Sequence, residues 1–319
     1  MGNAIACQRC DAPPTPAERW RSHRVTKRGS FRRKHDGKVV YRYYCSGCRK
    51  TFSNSTGSVT FGQHKPQLNV PIAIELSCST AQRRIALKLG INRKTVAKKL
   101  MFLGGRARIA HQTWLAARPE PITTVQFDDM ETSEHTKLKP LSIPMIVESK
   151  SRFILAWDVA IMPAKGHLAA LSRRRYGRRR DERQAAWHRT LSAIAPYAIP
   201  DINITSDQNP HYPAAISRVF PLARHQTVKG RAACTAGQGE MKKGGRDPLF
   251  WFNHTAAMVR DNVKRLTRRT WCSTKRYQRL NDHLAIYATF HNLILLRRKS
   301  RAPLTSKDYR LAAIELIGS

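Results

Sequence analysis

ITTVQFDDME, residues 122–131, is the stretch on which the fold turns. Its first half is rich in β-branched residues and reads as a strand. Its second half gathers Asp128, Asp129 and Glu131 in a chain with only 21 acids among 319 residues. Working outward, residues 141–147 and 153–159 are two more strand-like runs, and ESKSR at 148–152 between them has the composition of a hairpin turn. Residues 163–197 read as helical but basic, with Arg173, Arg174, Arg175, Arg178, Arg179 and Arg180 in one run that is either a solvated face or a phosphate contact. DINITS at 201–206 makes a fourth strand, stopped at Asp207, and residues 225–228 a fifth. Residues 230–245 are Gly-rich and read as a loop or insertion. Helical period returns over 252–269 and 277–296. Strands interleaved with helices in this order predict an α/β fold, a mixed sheet with helices on both faces.

The acids stand at the ends of the first and fourth strands of that scheme. Residues 128 and 207 are 79 positions apart in sequence, yet strand ends can meet in space. Two aspartates sharing a pair of divalent ions can activate a nucleophile and stabilise the leaving oxygen of a phosphoryl transfer. Magnesium suits such a site because it prefers hard oxygen ligands. The same acids could instead pair with the abundant arginines, and strand alternation alone does not choose between Asp128 and Asp129.

Toward the N-terminus, Cys7 and Cys10 form one Cys-x2-Cys pair and Cys45 and Cys48 a second. Two such knuckles can close a tetrahedral thiolate cage that selects zinc. Two disulfides are the alternative, opposed by a polar start that lacks the apolar core of a signal peptide. Cys78, Cys234 and Cys272 stand alone and read as packed thiols. Residues 1–55 carry 13 Lys or Arg against three acids and include the alternating stretch VVYRYY at 39–44. This is a small ribbon with too little core to fold without its metal.

From Ile72 to Leu103 the period is helical, and no acid occurs between Leu76 and Leu103. Ser79 and Gln82 have the spacing of a capping box, opening a helix with Ile85 and Leu89 inward. Gly90 punctuates, and Asn92 caps a second helix in which Val96, Leu100 and Leu103 recur, leaving Arg93, Lys94 and Lys98 outward. Short helix, Gly turn and basic second helix make a helix-turn-helix whose second member would enter a major groove. The alternative is a helical hairpin whose charges are merely solvated. Pro119 and Pro121 mark the next boundary, so the expected domains are 1–60, 61–118 and 119–319.

Charge selects the partner. With 58 Lys or Arg against 21 acids, the formal charge is +37. Such a body repels itself unless it lies on a polyanion, and nucleic acid is the leading one, double-stranded DNA where the helix-turn-helix would enter a major groove. No run of 18 apolar residues spans a bilayer, and Ala6 breaks the myristoylation pattern, so the expectation is a cytoplasmic protein without membrane attachment.

The order of parts resembles bacterial insertion-sequence transposases. The resemblance rests on the first Cys-x2-Cys pair, on Tyr43, Cys45, Cys48 and Phe52, and on the helix-turn-helix. It continues through FDDME at 127–131, Ser206 with Asp207, and KRLTRRTWCSTKR at 264–276. It is closest to those joining a zinc ribbon and helix-turn-helix to an RNase H-like DDE domain, and it covers nearly the whole chain. It implies a sheet in which the first and fourth strands are neighbours, with Asp128 and Asp207 as the first two catalytic acids and magnesium ligands. It implies strand cleavage and strand transfer at the ends of a mobile element, a homo-oligomer that pairs two ends, and a place on the bacterial nucleoid. The family's third acid falls on Asn253, a departure. Glu240, 33 residues beyond Asp207, and His254 are the substitutes. A catalytically inactive DNA-binding regulator, or a nuclease without strand transfer, would keep the same basic features.

Overall fold

The computed structural model describes residues 6–7, 10, 25–33, 37–229, 247–267, 271–298 and 303–318. The Gly-rich stretch at 230–245, with Glu240 and Cys234, lies outside them. The chain divides into two compact units, Met1–Leu68 and Asn69–Gly318.

The first unit is a three-stranded antiparallel sheet of β1 (Val25–Arg32), β2 (Val39–Cys45) and β3 (Lys50–Ser53), in that order. Alternation at the end of β2 turns Tyr43 and Cys45 inward, and Val40 is buried as well. Cys7, Tyr43, Cys45 and Phe52 form its core, with the Tyr43 and Phe52 rings stacked at 5.4 Å. β1 was not legible as a strand, because its burial pattern has no buried position. Its basic side chains lie over aromatic rings instead: Lys27 is 4.3 Å from the Tyr41 centroid and Arg28 4.9 Å from Tyr44.

The second unit is α/β, with a mixed sheet. Its strands are β4 (Ile122–Ser133), β5 (Pro140–Glu148), β6 (Ile154–Trp157), β7 (Ala160–Ile161), β8 (Ala198–Ser206) and β9 (Arg224–Thr227). The order is β6-β5-β4-β8-β9, with β7 on β5. β4, β5 and β6 run antiparallel, β5 turning into β6 through the expected turn at 148–152, whereas β8 and β9 run parallel to β4. The basic segment that separates them splits into α4 (Leu168–Tyr176) and α5 (Arg183–Ile194), parted at Gly177, whose φ of +73° suits a residue without a Cβ. Contrary to expectation, β4 does not end at its acids. It runs on to Ser133 because β5 pairs with it as far as Pro140.

Each face of the sheet carries a core. On one, Val125, Phe127, Ile202 and Ile204 pack against Trp187 and Leu191 of α5 and against α6 (Tyr212–Val219). On the other, Met130, Ile143 and Met145 meet Phe252, Ala256 and Val259 of α7 (Phe250–Asn262) and Leu284 and Ala288 of α8 (Tyr277–Arg297). β5, buried on both faces, reads as a continuous apolar run for that reason.

Before the sheet come α1 (Asn69–Ser77), α2 (Gln82–Lys88) and α3 (Arg93–Ala116), and after it α9 (Ser306–Ile317). Asn92 caps α3 by accepting from the Lys94 N–H at 2.8 Å, as expected. The capping box at Ser79 and Gln82 is not formed. Ala81 occupies the cap, while Ser79 turns the chain with φ +58° and donates its N–H to the Asn262 carbonyl at 2.8 Å. Ile85 is buried, but Leu89 ends α2 half-buried. α3 continues well past Leu103, because Gly104 lets α8 approach closely: a Cβ there would stand 2.7 Å from the Asp282 Cβ. Further along, His111 shares a 2.8 Å hydrogen bond with the Leu155 carbonyl of β6. No helix among the described residues is long and apolar enough to cross a membrane.

Candidate functional site

Parallel pairing of β4 with β8 sets Phe127 opposite Ser206, so Asp207 emerges where β8 stops, level with the next residue of β4, Asp128. The two carboxylates are within electrostatic reach. Burial, and after it the Asp207 charge, push the Asp128 carboxyl up to about 7. Asp128 Oδ1 accepts from the Asp129 N–H at 2.7 Å and from the Tyr212 hydroxyl at 3.2 Å. Asp207 Oδ1 accepts from the Asn209 N–H at 3.0 Å, a local turn that orients its carboxylate.

The partners of Asp129 set it apart from Asp128. Its Oδ2 accepts from the Ser142 hydroxyl at 2.6 Å, and the Trp187 indole N–H lies 3.0 and 2.9 Å from its two oxygens. Burial raises its carboxyl, and these bonds oppose the rise. Asp129 thus ties β4 to β5 and α5, while Asp128 is the acid turned to Asp207.

One contributor was missed in the sequence. Gln126 Oε1 accepts from the Phe252 N–H, and its Nε2 donates to the Pro248 carbonyl, both at 2.7 Å. These bonds staple the head of α7 to β4, two residues before Asp128. The signal was available: a Gln between two apolar strand residues, Val125 and Phe127, is buried only when both ends of its amide find partners. At that helix head Asp247 accepts from the Leu249 N–H at 3.0 Å and from the Asn253 amide at 2.9 Å.

The third-acid candidates fare differently. Glu240 is outside the described residues. His254 lies beside Arg152, with Nδ1 3.4 Å from the guanidinium, and its ring meets that of Phe250 at 5.6 Å. Burial and the Arg152 charge hold its imidazole below its ordinary value. This is the end of the sheet where Glu148 pairs with Val125, and neither Asp128 nor Asp207 is among these partners. His254 is not brought to the acid pair.

In the first unit the four knuckle cysteines converge, each offering a sulfur within 4.8 Å of the others. Cys7 Sγ is 3.7 Å from Cys48 Sγ, and Cys10 Sγ 3.9 Å from Cys45 Sγ. A tetrahedron with Zn–S of about 2.3 Å has edges of about 3.8 Å, so the cage is sized for zinc and is too open for disulfides. Arg93, Lys94 and Lys98 are exposed at the head of α3. In the basic run, Arg173, Arg174 and Arg175 are exposed, but Arg179 donates to the Met162 and Pro140 carbonyls at 3.2 and 3.3 Å and is structural.

No family model and no curated protein matches the chain. Among solved structures, a cryoEM structure of a simian T-cell lymphotropic virus intasome in complex with PP2A regulatory subunit B56 gamma is similar at 10% identity. It covers 75% of this chain and 76% of that one, with a TM-score of 0.26. A likeness this slight carries no argument.

Proposed function

We propose that the chain is a DNA transposase, with a zinc ribbon over residues 1–60, a helix-turn-helix over 61–118 and an RNase H-like catalytic domain over 119–319. It binds the ends of its mobile element and carries out metal-dependent strand cleavage and strand transfer. The observation that carries the reading is the approach of Asp128 to Asp207 on neighbouring parallel strands in a chain of net charge +37. Two carboxylates forced together where burial disfavours charge call for cations, and a donor set of hard oxygens fits magnesium. When bound there, a magnesium pair supplies positive charge to the attacking and departing oxygens of a phosphodiester.

The chain's own residues prepare that site. The Asp129 N–H and Tyr212 hydroxyl orient Asp128, the Asn209 N–H orients Asp207, and Gln126 fixes the head of α7 to the strand that carries Asp128. A third carboxylate comes from Glu240. Lys94 and Lys98, one helical turn apart with Arg93 before them, read the element ends, and the ribbon's cations grip phosphate. Pairing two ends requires more than one copy, and the working place is the bacterial nucleoid.

A second reading, a DNA-binding regulator without catalysis, is favoured by Asn253, whose amide is spent on Asp247 where the resemblance expects a glutamate. Incubating the protein with DNA of its flanking ends and Mg²⁺ separates the two. Cleavage that Asp128→Ala or Asp207→Ala abolishes at unchanged DNA affinity supports the transposase. Tight, end-specific binding that R93A/K94A/K98A weakens, with no cleavage by the wild type, supports the regulator.

A further inference from the structure

A cleft of about 730 Å³ opens in the second unit between α2, the first half of α3 and the segment leading from α7 into α8. Seven of its lining residues are Lys or Arg, among them Arg83, Arg93, Lys264, Arg265 and Arg276, and none of the described residues lining it is acidic. The nearby carboxylate, Asp282, is already engaged by Arg108 at 2.8 Å and Arg279 at 2.5 Å. Burial pushes the Arg265 guanidinium down to about 10, against the pull of Asp282 and Cys272 and with a smaller push from the Arg279 charge. The floor is apolar, formed by Ala97, Leu100 and Met101 of α3. In the same lining stands Trp271, whose side chain is 100% exposed.

This combination describes a ligand with two characters. Crowded guanidiniums ask for phosphate. An indole left wholly in water beside them offers a flat apolar face, the platform on which proteins of single-stranded nucleic acid stack bases. A duplex cannot satisfy both, because its base faces are covered by their neighbours and it shows a protein only edges and phosphates. The cleft also has the volume of small-molecule sites, roughly 300–1,000 Å³, rather than of a groove that takes a double helix.

We propose that this cleft takes one unpaired nucleotide of a DNA strand, its phosphate among Arg83, Arg265 and Arg276 and its base stacked on Trp271. The assignment rests on the nucleic-acid reading above and is independent of the acid pair. Under it, Arg265, Trp271 and Arg276 hold a strand out of the duplex, next to the helix whose head carries Arg93.

The test compares a blunt duplex with the same duplex bearing a short single-stranded tail, by fluorescence anisotropy at one salt concentration. The wild type is expected to bind the tailed probe more tightly. Trp271→Ala should lose about tenfold on that probe and nothing on the blunt one, while Trp271→Phe keeps most of the preference. Abasic sites in the tail should reproduce the loss and add nothing in Trp271→Ala. Because Trp271 is exposed, the variants should melt with the wild type, which separates this effect from misfolding. Equal affinity of the wild type for both probes, or an equal loss on both in Trp271→Ala, overturns the proposal while leaving DNA binding intact. A wild type that binds neither probe overturns the nucleic-acid reading itself.

Discussion

Replacing Asp128 with Asn removes a charge that the fold holds at a cost. Burial and Asp207 raise the Asp128 carboxyl from 3.8 to about 7. One pH unit is about 1.4 kcal/mol, so ionising Asp128 in the metal-free protein costs about 4 kcal/mol. That is an upper bound, since the half-buried side chain keeps some contact with water. The folded chain therefore binds a proton that the unfolded chain has released between about pH 4 and pH 7. Stability contributed by the protonated group is complete below 3.8 and is lost as pH rises through that window. Asn has no proton to lose, and its carbonyl can still accept from the Asp129 N–H and the Tyr212 hydroxyl. Asp128→Asn should melt with the wild type near pH 4 and several degrees above it at about pH 8, at roughly 2–4 °C per kcal/mol for a unit of this size. The assay is thermal unfolding followed by circular dichroism from about pH 4 to 8, in EDTA so that no divalent ion offsets the charge. Asp207→Asn should give a smaller gain, because it removes only the second cause. A difference in melting temperature that is absent, or the same at every pH, would refute the reasoning.

Two further outcomes concern the scaffold. Purified protein should contain about one zinc per chain, and chelation should open residues 1–68 to protease while 69–318 stay resistant, because a core of four residues cannot hold the ribbon alone; a ribbon equally resistant with and without chelator contradicts this. Gly104→Ala should lower the melting temperature by the equivalent of about 1–3 kcal/mol, since the new methyl meets the Cβ and Cα of Asp282 at 2.7 and 2.9 Å. The helix-propensity gain of about 1 kcal/mol is too small to offset that, and a rise on calorimetry would show that α3 and α8 have slack.

What the amino-acid order reveals by itself is local. The run through residues 122–131, the turn at 148–152, the strand before Asp207 and the Asn92 cap announce themselves because each is decided by neighbours in sequence. The mixed sheet followed from their order. Besides β1, four features escaped, and each depends on a distant partner. α9 went unnoticed although Thr305 and Asp308 form its capping box, because only burial of Ala312, Ala313 and Leu316 against other helices makes so short a segment stable. The cap at Ser79 failed because the chain needed a left-handed residue there to leave α1. Asp128 and Asp129 could not be told apart until Trp187 and Ser142 claimed the second of them. Gln126 could be seen, but not the helix it holds.

α3 is 24 residues of uninterrupted helix, about 36 Å at about 1.5 Å per residue. Its head carries Arg93, its middle is braced where Gly104 meets Asp282, and its far third is pinned to β6 through His111. A rod fixed at those points acts as a ruler. Whatever rests on Arg93, Lys94 and Lys98 is held at a set span and a set rotation from the sheet that carries Asp128. One residue inserted between Lys98 and Gly104 would swing the head by about 100° and lengthen the span by only about 1.5 Å. The phase of this rod, more than its length, sets how anything it carries is presented to the acids.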